Sequence, residues 1–143
     1  YAKECRKRTI LANYKLDQLE LSQNPSAFAN RYLTAKIISE LILKHPQMKI
    51  NVIGYTDQTG DNERNRQMSG LWADIELQML RIMIDGIMGA TEGKSLDQFP
   101  EVEISSMGAS NSQTVKTVLL QPLDENYPEE RCAKRRVEVL LEF

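Results

Sequence analysis

The residues best placed to do chemistry lie between Thr56 and Asn65. Thr56-Asp57-Gln58-Thr59-Gly60-Asp61 is a polar, glycine-containing loop between a strand-like run and a long helical one. Asp57 fits two roles there, a turn or helix-capping aspartate or the acidic residue of a pocket. Backbone N–H groups at the start of the following helix can add donors for an anion. Enzymatic chemistry finds little support. His45 is the single histidine, and Cys5 and Cys132 are the two cysteines, at opposite ends of the chain and in no metal-ligand spacing. There is no Ser-His pair in an elbow motif, no metal cluster and no phosphate loop. Asp57 and Asp61 are paired carboxylates, but nothing in their setting points to raised pKa values or a glycosidase spacing. The expectation is a binding module that is not an enzyme and needs no metal or cofactor.

The elements that must carry this loop can be read from periodicity. Arg8 to Leu16 reads as a first strand. Gln23-Asn24-Pro25-Ser26 is a turn, with Asn24 or Ser26 as a helix cap and Pro25 in the first turn. Phe28, Tyr32, Leu33, Ile37, Ile38, Leu41 and Ile42 recur at helical spacing, giving an amphipathic helix that ends near Lys44-His45-Pro46. Lys49 to Tyr55 is a second strand. A long helix follows from about Asn62 to Met88, with Gly89 expected to end it. Val102 to Met107 is a third strand, Thr114 to Leu120 a short extra element, and Arg135 to Phe143 the last strand. The order β-α-β-α-β-β makes an α+β fold, a mixed sheet with both helices on one face.

The chain has 143 residues, 41% apolar and 27% charged, with a net charge of −2. That is one domain with one core, spanning 1–143. No basic footprint suggests nucleic acid as a partner. No apolar run reaches the ~20 residues of a membrane helix; Leu77 to Met88 is interrupted by Arg81 and Asp85. A start at Tyr1 reads as an excised domain or a processed product.

Three blocks, in order, carry a resemblance. The first is Ile53-Gly54-Tyr55-Thr56-Asp57 with Gly60, Asn65, Met68-Ser69 and Ala73. The second is Met107-Gly108-Ala109-Ser110. The third is Arg131 with Arg135-Arg136-Val137-Glu138-Val139. Together they resemble the OmpA-like peptidoglycan-binding family, from the first strand to the last. The resemblance implies a two-layer α+β sandwich on a mixed four-stranded sheet, with the last strand between the first two. It implies a periplasmic module of the Gram-negative cell envelope, attached to the outer membrane through the rest of its protein, that holds the diaminopimelate stem peptide of peptidoglycan. Asp57 then accepts the ligand ammonium, Asn65 supports the pocket, and Thr56 and Gly60 shape the loop. Arg135 or Arg136 serves the pocket wall or a buried carboxylate, and the other is solvated.

One position departs from the pattern. Fifteen residues after Asp57, where the family carries an arginine for the ligand carboxylate, stands Trp72. An indole offers one donor and no charge, against five donors and a full charge for arginine. Losing a charge-assisted bidentate contact costs a few kcal/mol, roughly two orders of magnitude in affinity. Arg64, Arg66 or Lys134 are the possible substitutes. Trp72 also belongs to a second apolar stripe on the long helix, Met68, Leu71, Trp72, Ile75, Met79 and Ile82. It lies nearly opposite the stripe of Ala73, Leu77, Leu80, Ile84 and Ile87 that packs on the sheet. Either Thr114 to Tyr127 covers the second stripe, or Leu71, Trp72, Ile75 and Met79 meet an envelope protein or a second copy. The chain is thus read as a stem-peptide anchor, with a degenerate anchor serving protein assembly as the alternative. In the implied topology Cys5 and Cys132 sit at opposite ends of a sheet ~30 Å long. That is too far for a disulfide, which needs Cα atoms within ~7 Å.

Overall fold

The computed structural model describes residues 5–15, 18–56, 62–111 and 135–143. In chain order these form β1 (Arg6–Asn13), α1 (Pro25–Lys44), β2 (Lys49–Thr56), α2 (Asn62–Glu92), a 3-10 turn at Leu96–Gln98, β3 (Glu103–Asn111) and β4 (Arg136–Glu142). The strands lie in the order β1-β4-β2-β3. β4 is antiparallel to both β1 and β2, and β3 runs parallel to β2. The mixed four-stranded sheet, the α+β class and the central last strand agree with expectation. The expected element at Thr114 to Leu120 and residue Cys132 lie outside the described residues.

Alternation along β4 sets the two faces. Val137, Val139 and Leu141 enter the core with Ile50 and Val52 of β2, under Ala35, Ile38 and Ile42 of α1 and Ala73, Leu80 and Ile84 of α2. Arg136 and Glu138 alternate to the helix-free face, yet both are fully buried. α1 begins as its sequence suggests. The Asn24 side chain accepts the Ser26 N–H at 3.0 Å, and Pro25 occupies the first turn, where its missing N–H costs nothing.

Two details of the helices differ from the periodicity reading. α1 does not bury Phe28, Tyr32 or Leu33, which are 67%, 49% and 55% exposed. It turns Ala27, Arg31, Thr34, Ala35, Ile38 and Ile42 inward instead. An arginine can hold the centre of that face because α2 supplies its counter-charge. α2 passes through Gly89 and ends at Glu92. The left-handed residue that stops it is Gly93, with φ of 63°, and Lys94 N–H returns to the Met88 carbonyl.

α2 also lacks two opposed apolar stripes. It has one broad buried face: Asn65, Met68, Ser69, Trp72, Ala73, Glu76, Leu80, Ile84 and Met88. Leu71 and Ile82 stay exposed, and Ile75 and Met79 are half-buried. Trp72, expected on the outer stripe, is 1% exposed and leaves that surface. The first turns of α2 approach the sheet closely at two glycines. A Cβ on Gly54 would lie 1.9 Å from the Ser69 carbonyl oxygen, and one on Gly108 would lie 2.5 Å from the Gly70 nitrogen. Backbone-to-backbone approach of this kind requires glycine on the strands.

Candidate functional site at one end of the sheet

Pairing brings four chain segments to one end of the sheet. Tyr55 of β2 lies opposite Arg136 of β4, Asn13 of β1 lies opposite Arg136 on the other side, and Thr56 lies beside Asn111 of β3. α2 is the next described element after β2, starting at Asn62. Thr56 is 3% exposed and Asn65 8% exposed. Arg135 is half-buried, and its Nε donates to the Tyr14 carbonyl at 3.0 Å. Asp57, Gly60 and Lys134 lie outside the described residues. Of the expected ligand residues, the structure therefore gathers Thr56, Asn65 and Arg135 at one end. Arg66 is committed on the surface to Glu63, at 2.7 Å.

Arg136 takes the buried partner expected for one of the two arginines. Its Nε donates to Glu138 at 2.6 Å, and its guanidinium lies 4.4 Å from the centre of the Tyr55 ring. The second Glu138 oxygen is 3.4 Å from Nε of Arg8. This cluster braces the strand end immediately before Thr56.

Trp72 points into the packing between α2 and the β1–α1 connector. Its ring stacks on Tyr14, with centroids 5.0 Å apart and planes 16° apart. Its one N–H donates to the Gln18 carbonyl at 2.7 Å. Tyr14 continues the chain of contacts, its hydroxyl donating to Glu76 at 2.5 Å. Arg31 grips the same carboxylate with two bonds of 2.7 Å and donates to the Ser22 carbonyl at 2.8 Å. Arg31 is 3% exposed and Glu76 fully buried. The connector that walls a crevice of about 680 Å³, lined by Lys15, Gln18 and Ser22 among others, is thus tied to both helices.

Charge in this network has a definite direction. Burial, then the negative charge and hydrogen bond of Glu76, push the Tyr14 hydroxyl well above the ordinary tyrosine range. For Arg31, burial pulls downward, and the hydrogen bonds and charge of Glu76 outweigh it, so the guanidinium is held above its usual value. A raised Tyr14 contributes stability that is fully present below the unfolded-state value near ~10. Above it the unfolded chain releases a proton that the folded chain keeps, and stability falls as pH rises. Urea unfolding at pH 9 and pH 11 should show a larger alkaline loss for the wild type than for Tyr14→Phe. An equal loss in both would mean that Tyr14 is not the group responsible.

Sequence reasoning missed Tyr14, Arg31 and Glu76. A signal existed: Glu76 stands four residues from both Trp72 and Leu80, and Arg31 four from both Ala27 and Ala35. Each is a charge inside a buried stripe, and opposite charges in such stripes on neighbouring helices are candidates for a buried pair.

No protein-family model matches the sequence, and no curated protein matches it. Solved structures do match. The peptidoglycan-associated lipoprotein from Burkholderia pseudomallei superposes with a TM-score of 0.56 at 15% identity, covering 96% of this chain and 91% of that one. The periplasmic domain of Helicobacter pylori MotB (residues 90–256) gives 0.56 at 16% identity, covering 96% and 86%. The OmpA-like domain of FopA1 from Francisella tularensis gives 0.53 at 12% identity, covering 94% and 70%. These similarities establish that the chain has the fold of OmpA-like domains. Among the described residues, no helix is long and apolar enough to cross a membrane.

Proposed function

We propose that this chain is a non-catalytic anchor module that binds peptidoglycan in the periplasm, with the rest of its protein attached to the outer membrane. The ligand is the diaminopimelate-containing stem peptide, held where β2 meets α2. The reading rests on one coincidence. β2 ends at Thr56, one residue before Asp57 in the sequence, at the end of the sheet where Asn65, Arg135 and the α2 N-terminus gather, in a fold shared with a peptidoglycan-associated lipoprotein. Asp57 accepts the ligand ammonium, Thr56 and Gly60 shape its loop, and Asn65 supports it. Arg135 and the first backbone N–H groups of α2 face the ligand's anionic groups. Trp72 offers the ligand no donor, since its indole N–H is already spent on Gln18.

Titration calorimetry with a diaminopimelate-containing stem peptide tests this directly. Saturable binding is expected, weakened by one to two orders of magnitude in Asp57→Ala, the equivalent of one charge-assisted hydrogen bond at roughly 1.5–3 kcal/mol. Unchanged affinity in Asp57→Ala would remove the mechanism. Complete absence of binding would favour the second reading, a domain that serves protein assembly in the envelope or self-association. Exposed Leu71 with half-buried Ile75 and Met79 on α2 favours that alternative.

A further inference from the structure

The sheet has an edge that the proposed ligand site does not use. β1 is an outermost strand, paired among the described residues with β4 alone. Cys5 exchanges both backbone hydrogen bonds with Phe143. By antiparallel alternation Lys7 and Thr9 also bond inward, so Arg6, Arg8 and Ile10 turn their N–H and C=O groups outward. Their side chains lie on the helix-free face, while Lys7 and Thr9 face α1. Between β1 and α1 lies a pocket of about 210 Å³, lined by Lys7, Thr9, Leu33, Thr34, Ile37 and Leu141. Leu33 stands 55% exposed at this pocket.

Charge selects the occupant. Arg6, Lys7 and Arg8 are consecutive and exposed in a chain whose net charge is −2. Among the described residues neither Arg6 nor Lys7 forms an ion pair. A second copy pairing edge to edge would bring this basic run against itself, and like charges on adjacent strands are destabilising. We propose that β1 accepts an extended acidic segment of a partner protein as a fifth strand. Carboxylates on alternate residues lie beside Arg6 and Arg8, and the intervening apolar side chains enter the pocket at Leu33 and Ile37. Main-chain bonds give affinity in this mode, and the alternating side chains give specificity.

Fluorescence anisotropy with the whole chain tests the proposal, using a labelled, capped peptide of three Glu-Leu repeats. Control peptides are a block arrangement of the same residues and three Lys-Leu repeats. The alternating acidic peptide should saturate, with both controls at least ~10-fold weaker. Arg6→Pro removes an outward N–H without costing a bond to β4, and Leu33→Glu puts a charge at the pocket; each should weaken binding at least ~10-fold. Circular dichroism verifies folding of both variants, and Leu33→Glu with the peptide comparison carries the test if Arg6→Pro fails to fold. Absent binding, equal affinity for either control peptide, or full affinity in a folded variant would overturn the proposal. Sedimentation showing self-association abolished by Arg6→Pro would assign the edge to a second copy and overturn it too. Stem-peptide affinity, measured on the same variants, should not change, so the edge and the ligand site fail or stand separately.

Discussion

Replacing Glu76 with leucine should destabilise the protein by about 3–5 kcal/mol, because it leaves Arg31 charged and buried without its counter-charge. The substitution nearly conserves volume, so little of the loss comes from a cavity. Arg31 is 3% exposed and loses both of its carboxylate bonds at once, keeping only the Ser22 carbonyl. Tyr14 loses its acceptor in the same step. For a chain of this size the midpoint temperature should drop by roughly 10 °C or more. The companion variant separates the cost of a broken pair from the worth of an intact one. Arg31→Met with Glu76→Leu removes both charges, and such replacements are often neutral or stabilising. The double variant should recover most of the loss, to within about 1–2 kcal/mol of wild type, leaving chiefly the unsatisfied Tyr14 hydroxyl. Urea unfolding of the three proteins checks this. A single variant within ~1 kcal/mol of wild type would mean that solvent reaches Arg31, contrary to its burial.

The same contrast shows why the network escaped a reading by periodicity. Helix and strand positions follow from apolar spacing, and β2, β4 and the start of α1 lie within one or two residues of where that spacing puts them. Periodicity assumes, however, that the inward face is apolar. On α1 it therefore selected Phe28, Tyr32 and Leu33, which are large but exposed, over Arg31 and Thr34, which are polar but buried. What decides that orientation is Glu76, 45 residues away on another helix, and no local pattern contains it. Trp72 is a related case. Its spacing from Asp57 marked it as a departure from the family's arginine, but only the fold places it against Tyr14 and Gln18. Thr56, Asn65 and Arg135 could be placed at one end of the sheet from the sequence, because each follows from the order of strands and helices. Gly89 misled because it occupies a plausible helix end, while a positive φ identifies Gly93 as the residue that ends it.

Gly54→Ala should be the most damaging of the small substitutions, costing ~3 kcal/mol or more, at the upper end for overpacking. The added methyl would sit 1.9 Å from the Ser69 carbonyl oxygen. That obstacle is helix backbone and cannot swing aside as a flexible side chain could. Relief requires α2 to lift from β2, and Thr56 and Asn65 lie on those two elements near the contact. Loss of stability should therefore come with loss of stem-peptide binding, even at temperatures where the variant remains folded. Gly70→Ala, one residue along the helix from Ser69, is the control. Its Cβ meets nothing within 4 Å, and it replaces glycine inside a helix, so stability should rise by up to ~1 kcal/mol with affinity unchanged. Urea unfolding and calorimetry on both variants read the two effects. If Gly54→Ala folds with wild-type stability and wild-type affinity, the close seating of α2 on the sheet does not hold the site together. If it loses affinity while Gly70→Ala keeps it, the spacing between β2 and α2 is what sets the geometry of the pocket.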